Sequence, residues 1–238
     1  MIEVDGLTVR FGGVVPLDRM SVTFSAGTCG LIGPNGAGKT TFFNVLSGFV
    51  KPIAGVVRAF GDDLLSMADF RRARWGVRRT FQTEQAIANL PVYENVLLIL
   101  EHTNGERSGR RQRVNEAIEF VGLGEVAQRE VGTLGAAQRR LVEVARAVVG
   151  TPRLVLLDEP AAGLPDEETQ RLGEVIRSIP EQIGAQVILV DHDMSLVSGC
   201  CETTAVLDFG RLIAAGATQD VLHDEHVIRA YLGTEELL

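Results

Sequence analysis

An α/β fold built on a mainly parallel sheet is the class this sequence predicts. Three observations predict it. Apolar runs of strand length alternate with helical periodicity, a glycine-rich turn joins one such run to a helix, and two acids end another. The 238 residues, 45% hydrophobic and 23% charged, suffice for one sizeable core, and no apolar run is long enough to cross a bilayer.

Period-two apolar residues over Ile2 to Val4, Leu7 to Val9 and Val22 to Phe24 predict an antiparallel β edge. That edge leads into the continuous apolar strand Thr28 to Ile32, the turn Gly33-Pro34-Asn35-Gly36-Ala37-Gly38-Lys39-Thr40-Thr41, and a helix from Lys39 to Gly48. Val56 to Phe60 and Val77 to Phe81 read as further strands. From Pro91 to Gly150 the character changes: Val92 to His102, Gln112 to Val121 and Ala137 to Val149 read as helices with no strand between them, an insertion in the α/β core. The core resumes with strand Arg153 to Leu157, helix Asp166 to Ile179, strand Gln186 to Val190 and helix Met194 to Cys200. Two short strands, Ala205 to Phe209 and Leu212 to Ala215, and two terminal helices close the chain.

The formal net charge of −8 argues against direct binding to nucleic acid or anionic lipid, so a membrane role must pass through a protein partner. The start, Met1-Ile2-Glu3-Val4-Asp5, has neither the cationic head nor the apolar stretch of a secretory signal, and a cytoplasmic location is expected. Cys29, Cys200 and Cys201 have no zinc spacing and read as core filler.

The turn fits G-x-x-x-x-G-K-[ST]. Its glycines allow backbone N–H groups to converge on phosphates, and the helix starting at Lys39 adds its positive end. Lys39 is the cation for the β and γ phosphates, Thr40 the hydroxyl for Mg²⁺, and Thr41 a donor to a nearer phosphate. ATP and Mg²⁺ are the expected cofactors. In Leu154-Val155-Leu156-Leu157-Asp158-Glu159-Pro160 a strand ends in two acids where open α/β sheets bind ligands. Asp158 can hold Mg²⁺ through water and Glu159 can polarise the attacking water, although an isolated Asp-Glu more often ends a strand and caps a helix.

The order of the phosphate loop, Phe81-Gln82, Leu134-Gly135-Ala136-Ala137-Gln138, Asp158-Glu159-Pro160 and Asp191-His192-Asp193-Met194 resembles the ATP-binding cassette (ABC) transporter ATPases, over nearly the whole chain. The resemblance implies a RecA-like P-loop NTPase core at 1–82 and 151–238, with an antiparallel β edge subdomain, and an inserted α-helical subdomain at 83–150. It implies that Gln82 touches Mg²⁺ and reports to the membrane subunit, that His192 bonds the γ-phosphate, and that Phe11 stacks on adenine. Arg10-Phe11-Gly12-Gly13, Arg79-Thr80-Phe81-Gln82, Ala161-Ala162-Gly163-Leu164 and Val227 to Gly233 are similar to the branched-chain amino acid uptake group. The expected activity is ATP hydrolysis powering uptake of those amino acids or related amides, peripheral at the inner face of the membrane. Alternatives are the ATPase of a lipopolysaccharide-type exporter, or a weakly active subunit needing a different catalytic cassette. Implied partners are transmembrane permease subunits, a second ABC ATPase subunit and, indirectly, a solute-binding protein. A cassette acting on ribosomes or DNA, and a P-loop kinase or GTPase, fit less well.

Two departures stand out. The family signature is commonly L-S-G-G-Q; here the hydroxyl position is Gly135 and the second glycine is Ala137, where a methyl is expected to restrict φ and weaken the contact lent to a partner. In the following loop Pro165 precedes Asp166, reversing the family's order, so that Asp166 either substitutes across the dimer or caps the next helix. A heterodimer with a different cassette is therefore expected, a homodimer being the alternative. The basic segment Arg71 to Arg79 reads as a solvated helix face, or else as a surface receiving the membrane subunit with Trp75 as anchor. The run Arg107 to Arg113 is assigned no role.

Overall fold

The computed structural model describes residues 1–103 and 108–232; Arg107 and Gly233, named above, lie outside them. Strand β1 (Ile2–Phe11) turns at Gly12-Gly13 into β2 (Val14–Phe24), and with β4 (Ala54–Ala59) and the short β5 (Asp62–Asp63) they form an antiparallel sheet in the order β2-β1-β4-β5. Both first strands run longer than the alternation suggests. Their register shifts between Val4 and Leu7, Leu7 and Val9, and Val9 and Phe11 interrupt the strict period of two.

The second sheet has six strands in the order β10-β9-β3-β8-β7-β6: β3 (Thr28–Ile32), β6 (Val77–Arg79), β7 (Leu154–Asp158), β8 (Gln186–Val190), β9 (Thr203–Asp208) and β10 (Arg211–Ala217). All its neighbours pair parallel except β10, which returns antiparallel on β9. Every residue of β3, β7 and β8 is buried, as a strand covered on both faces requires. Helix α1 (Lys39–Ser47) fills the space between the two sheets with Phe42 and Phe43, and the Phe42 ring stacks on Phe24 at 5.9 Å. The other face of the parallel sheet packs the helices that follow β7, joined to those of the inserted region in one continuous cluster.

A short helix, α2 (Asp69–Trp75), precedes β6, and it corrects the solvated-face expectation. Arg72 is buried, bonding Met67 O at 2.9 Å and Leu46 O at 3.2 Å, and it also bonds Val45 O. It thereby satisfies carbonyls in the last turn of α1, groups a helix leaves without an internal partner. Arg78 is buried against the carbonyls of Ala73 and Val77, and burial lowers its pKa to about 10. Trp75 donates to Asp62 at 2.8 Å and lies under the Arg153 guanidinium, so its indole is engaged within the chain. Arg71 and Arg74 remain exposed.

The inserted region holds α3 (Val92–Thr103), α4 (Arg110–Phe120) and α5 (Ala136–Val148). After β7 come α6 (Asp166–Gln182), α7 (Met194–Cys200), α8 (Thr218–Leu222) and α9 (Glu225–Leu232). Cys29, Cys200 and Cys201 are buried free thiols. Among the described residues no helix is long and apolar enough to cross a membrane.

Candidate ATP site

Parallel register assembles the site. Asp158 pairs with Val190 across β7 and β8, Gly30 with Leu189 across β3 and β8, and Arg79 with Leu156 across β6 and β7. The strands therefore end together, and Gly33, Gln82, Glu159 and His192 emerge along one edge. Thr80 reinforces the alignment: its N–H donates to Leu156 O at 2.9 Å and its hydroxyl accepts from Asp158 N at 3.1 Å.

The loop between β3 and α1 is drawn tightly onto neighbouring backbone. Gly33 (φ 150°) and Gly38 (φ 109°) lie in the left-handed region, and a Cβ on either would fall on the carbonyl of Leu207 or of Pro16. Gly210, in the β9–β10 turn, donates to Ala37 O at 3.0 Å. Lys39 lies along the loop, its ammonium bonding Pro34 O at 3.0 Å and also Gly33 O. Burial lowers its pKa, and the charges of Glu159 and Asp158 oppose that shift.

A cleft of about 340 Å³ opens on this loop, walled by Pro16, residues 35–41, Gln82 and Glu159. Glu159 sits at its side with φ 49°, a left-handed conformation uncommon for a non-glycine residue. Two backbone bonds impose it: Glu159 N donates to Val190 O at 2.7 Å, and Ala162 N donates to Glu159 O at 3.2 Å. Gln82 Nε2 donates to Glu159 Oε2 at 2.8 Å, and His192 Nε2 lies 3.3 Å from Oε1, so both carboxylate oxygens are engaged. The cleft is walled by oxygen-bearing groups suited to Mg²⁺, the exposed Thr40 hydroxyl and the Gln82 amide, and the buried Asp158 carboxylate ends β7 next to Glu159. Two or three such ligands plus phosphate oxygens match the way Mg²⁺ is usually held, and among the described residues no cluster of His, Cys, Asp or Glu offers a closed metal cage. The residues thus fit the cation.

Phe11 is 53% exposed at the end of β1, and it is not among the walls of the cleft. Three contributors have no counterpart among the expected site residues. Pro16 walls the loop, Arg79 binds Asp158, and Asp191 accepts from Asp193 N at 3.0 Å and Ala161 N at 3.2 Å, tying the His192 turn to the loop after Glu159. Burial raises the Asp191 carboxyl pKa despite those bonds. Arg79 and Asp191 stand inside the family motifs, so their position is visible in the sequence and their partners, separated by 79 and 30 residues, are not.

Two expectations about the signature and the following loop are corrected. Ala137 lies in the first turn of α5, ordinary helical backbone that alanine adopts without strain, so the expected φ restriction does not arise. Gly135 is the cap, with φ −66° and ψ 163°, and nothing lies within 4 Å of where a Cβ would sit. In the next loop Pro165, not Asp166, holds the cap position of α6; Asp166 opens the first turn beside Glu167 and Glu168, where acids complement the helix dipole.

Comparison with known proteins agrees with this geometry. Residues 17–162 match the ABC transporter family model, and residues 211–236 match that of the branched-chain amino acid ATP-binding cassette transporter. The chain is 36% identical to the high-affinity branched-chain amino acid transport ATP-binding protein BraF of Pseudomonas aeruginosa and 35% identical to LivG of Escherichia coli, covering 98% of both chains in each case. The solved ADP conformation of MJ1267, an ATP-binding cassette of an ABC transporter, superposes with a TM-score of 0.86 at 28% identity, covering 98% of each chain. The chain belongs to the ABC transporter family, as one of its ATP-hydrolysing cassettes.

Proposed function

We propose that this cassette binds and hydrolyses ATP to drive uptake of branched-chain amino acids or related small amides through membrane-spanning permease subunits, attached at the inner face of the membrane. Identity to BraF and LivG over both full lengths supports that solute class, and the match at residues 211–236 favours it over the lipopolysaccharide-exporter reading. The observation that carries the enzymatic part is Glu159, held by Gln82 and His192 beside the phosphate loop.

In this reading Gly33, Pro34, Asn35, Gly36, Ala37 and Gly38 cradle the phosphates through backbone N–H groups, with Thr41 donating as well and Phe11 meeting adenine. Lys39 turns from the loop carbonyls to the β and γ phosphates. Glu159 orients and deprotonates the attacking water, and His192 steadies the γ-phosphate. Mg²⁺, held by Thr40, Gln82 and Asp158, supplies charge neutralisation on the phosphate oxygens. Residues 1–82 and 151–238 form the ATP-binding unit, and 83–150 the helical unit carrying the signature.

The start of α5 is exposed at Gly135 and Ala136 and is not among the walls of the cleft, an arrangement suited to a second cassette paired head to tail. Gly135 brings no hydroxyl to that contact, which supports a different cassette as the partner. The test is reconstitution with the permease subunits and the partner cassette in vesicles, following ATP-dependent uptake of radiolabelled leucine. Accumulation that stops with Glu159→Gln is expected; ATP turnover without leucine uptake would overturn the solute assignment. Turnover of the purified chain alone, rising cooperatively with its concentration, would overturn the requirement for a different cassette.

A further inference from the structure

Arg79 ends β6 with its side chain only 5% exposed, and its Nη2 bonds Asp158 Oδ2 at 2.8 Å, Asp158 being equally buried. Its Nη1 bonds Asn44 Oδ1 on α1 at 2.7 Å. The guanidinium carbon lies 5.4 Å from the Phe43 ring centroid and 4.9 Å from that of Phe81, the residue before Gln82. Its Nε is buried with no partner, so the group is oriented for Asp158 and Asn44 at the expense of one of its own donors. Asp158 Oδ2 is thus committed to a fixed cation held from three elements, β6, α1 and β7.

Stability alone is a poor reason for such a pair, because buried ion pairs can often be exchanged for apolar residues without loss. Its location supplies another reason. We propose that Arg79 is a built-in counter-ion that weakens and orients the hold of Asp158 on the divalent cation accompanying ATP. This role rests on the metal-binding reading of Asp158, and two effects produce it. The guanidinium consumes one carboxylate oxygen and leaves the other for the cation's hydration shell. Its positive charge, buried against the same carboxylate, would also oppose a second cation. A cation held moderately can leave with the spent nucleotide at each turnover.

The test is titration of Mg²⁺ at fixed fluorescent, non-hydrolysable ATP analogue with the full chain, reading the Mg²⁺ concentration at half-maximal binding. Arg79→Gln is expected to lower that midpoint about tenfold, and Arg79→Lys, which keeps the charge, to leave it within about threefold of the parent. Asp158→Asn is expected to raise it. Should Arg79→Gln leave a lone buried carboxylate that prevents folding, the double variant Arg79→Gln/Asp158→Asn has no uncompensated charge. Compared with Asp158→Asn alone, it should show a smaller tightening, because only the charge repulsion is left to remove; no tightening at all overturns that part of the role. An unchanged or higher midpoint on losing Arg79, with Asp158→Asn still effective, overturns the counter-ion role. A midpoint indifferent to Asp158→Asn overturns the metal reading itself.

Discussion

The edge of the parallel sheet and the start of α5 both face the nucleotide chemistry proposed for this cassette, and they are built in opposite ways. At the sheet edge Glu159 is bonded to Gln82, Asp158 to Arg79 and Thr80, and Asp191 to Ala161, so each acid is fixed by residues far off in sequence. At the start of α5 the ties of the cap itself are local, and the distant ones run from the arginines that follow it, Arg139 to Glu84 at 3.0 Å and Arg140 to Gln82 O at 3.5 Å. Gly135 N donates to Gln138 Oε1 at 3.4 Å, Arg139 donates to Leu134 O at 2.7 Å, and no atom stands within 4 Å of where a Cβ on Gly135 would sit. The first region closes its bonds within one chain, whereas the second leaves a helix end exposed at Gly135 and Ala136. The difference teaches that chemistry needing fixed carboxylates is placed where strand register holds them, and contact needing approach is placed where nothing obstructs it.

The sharpest way to break the first region is Glu159→Gln. Turnover in the assembled transporter is expected to fall about a thousandfold, with ATP affinity unchanged. Phosphate release and nucleotide titration measure the two, and a parental rate would exclude Glu159 as the base. Lys39→Ala should weaken ATP binding about a hundredfold, since it removes the charge-assisted contacts to the phosphates, and equilibrium titration checks it.

Asp191→Asn probes the scaffold of the same edge. A neutral amide offers one acceptor to two N–H groups, so the variant should lose about 1–2 kcal/mol of stability at acidic pH. The sign with pH follows from burial. The folded pKa of Asp191 is raised, so its contribution is full below the ordinary carboxylate value and is lost as pH climbs through the raised one. Urea unfolding across that window should show the parent–variant gap narrowing as pH rises; a widening gap contradicts the account. The smallest effect is expected in the second region. Ala137→Gly should change turnover of the paired cassettes by less than about threefold, because the position is already helical and needs no glycine. A large gain would mean that the methyl obstructs the partner's phosphates.

The phosphate loop and the Asp158-Glu159 strand end are legible because their chemistry is written within a few consecutive residues, glycines that permit a tight loop and an apolar run that stops at acids. Counting glycines in a motif misjudges Ala137, because it does not ask which backbone conformation the position takes. Arg72 and Arg78 read as surface charges because a basic run resembles a solvated face. Their burial depends on carbonyls of Val45, Leu46 and Ala73, which local pattern does not reveal. Arg79 and Asp191 stand in plain sight, yet their partners are set by strand register, a tertiary property.

That register also governs when the protein can first bind ATP during its synthesis. The edge needs β3, β6, β7 and β8 side by side, and β8 ends at Val190, with His192 just beyond. A ribosome must therefore have released β8 and the His192 turn before a cleft exists, and pairings so distant in sequence are slow to form. A growing cassette thus has no assembled ATP cleft until β8 has joined the sheet, which ties nucleotide binding to closure of the sheet itself.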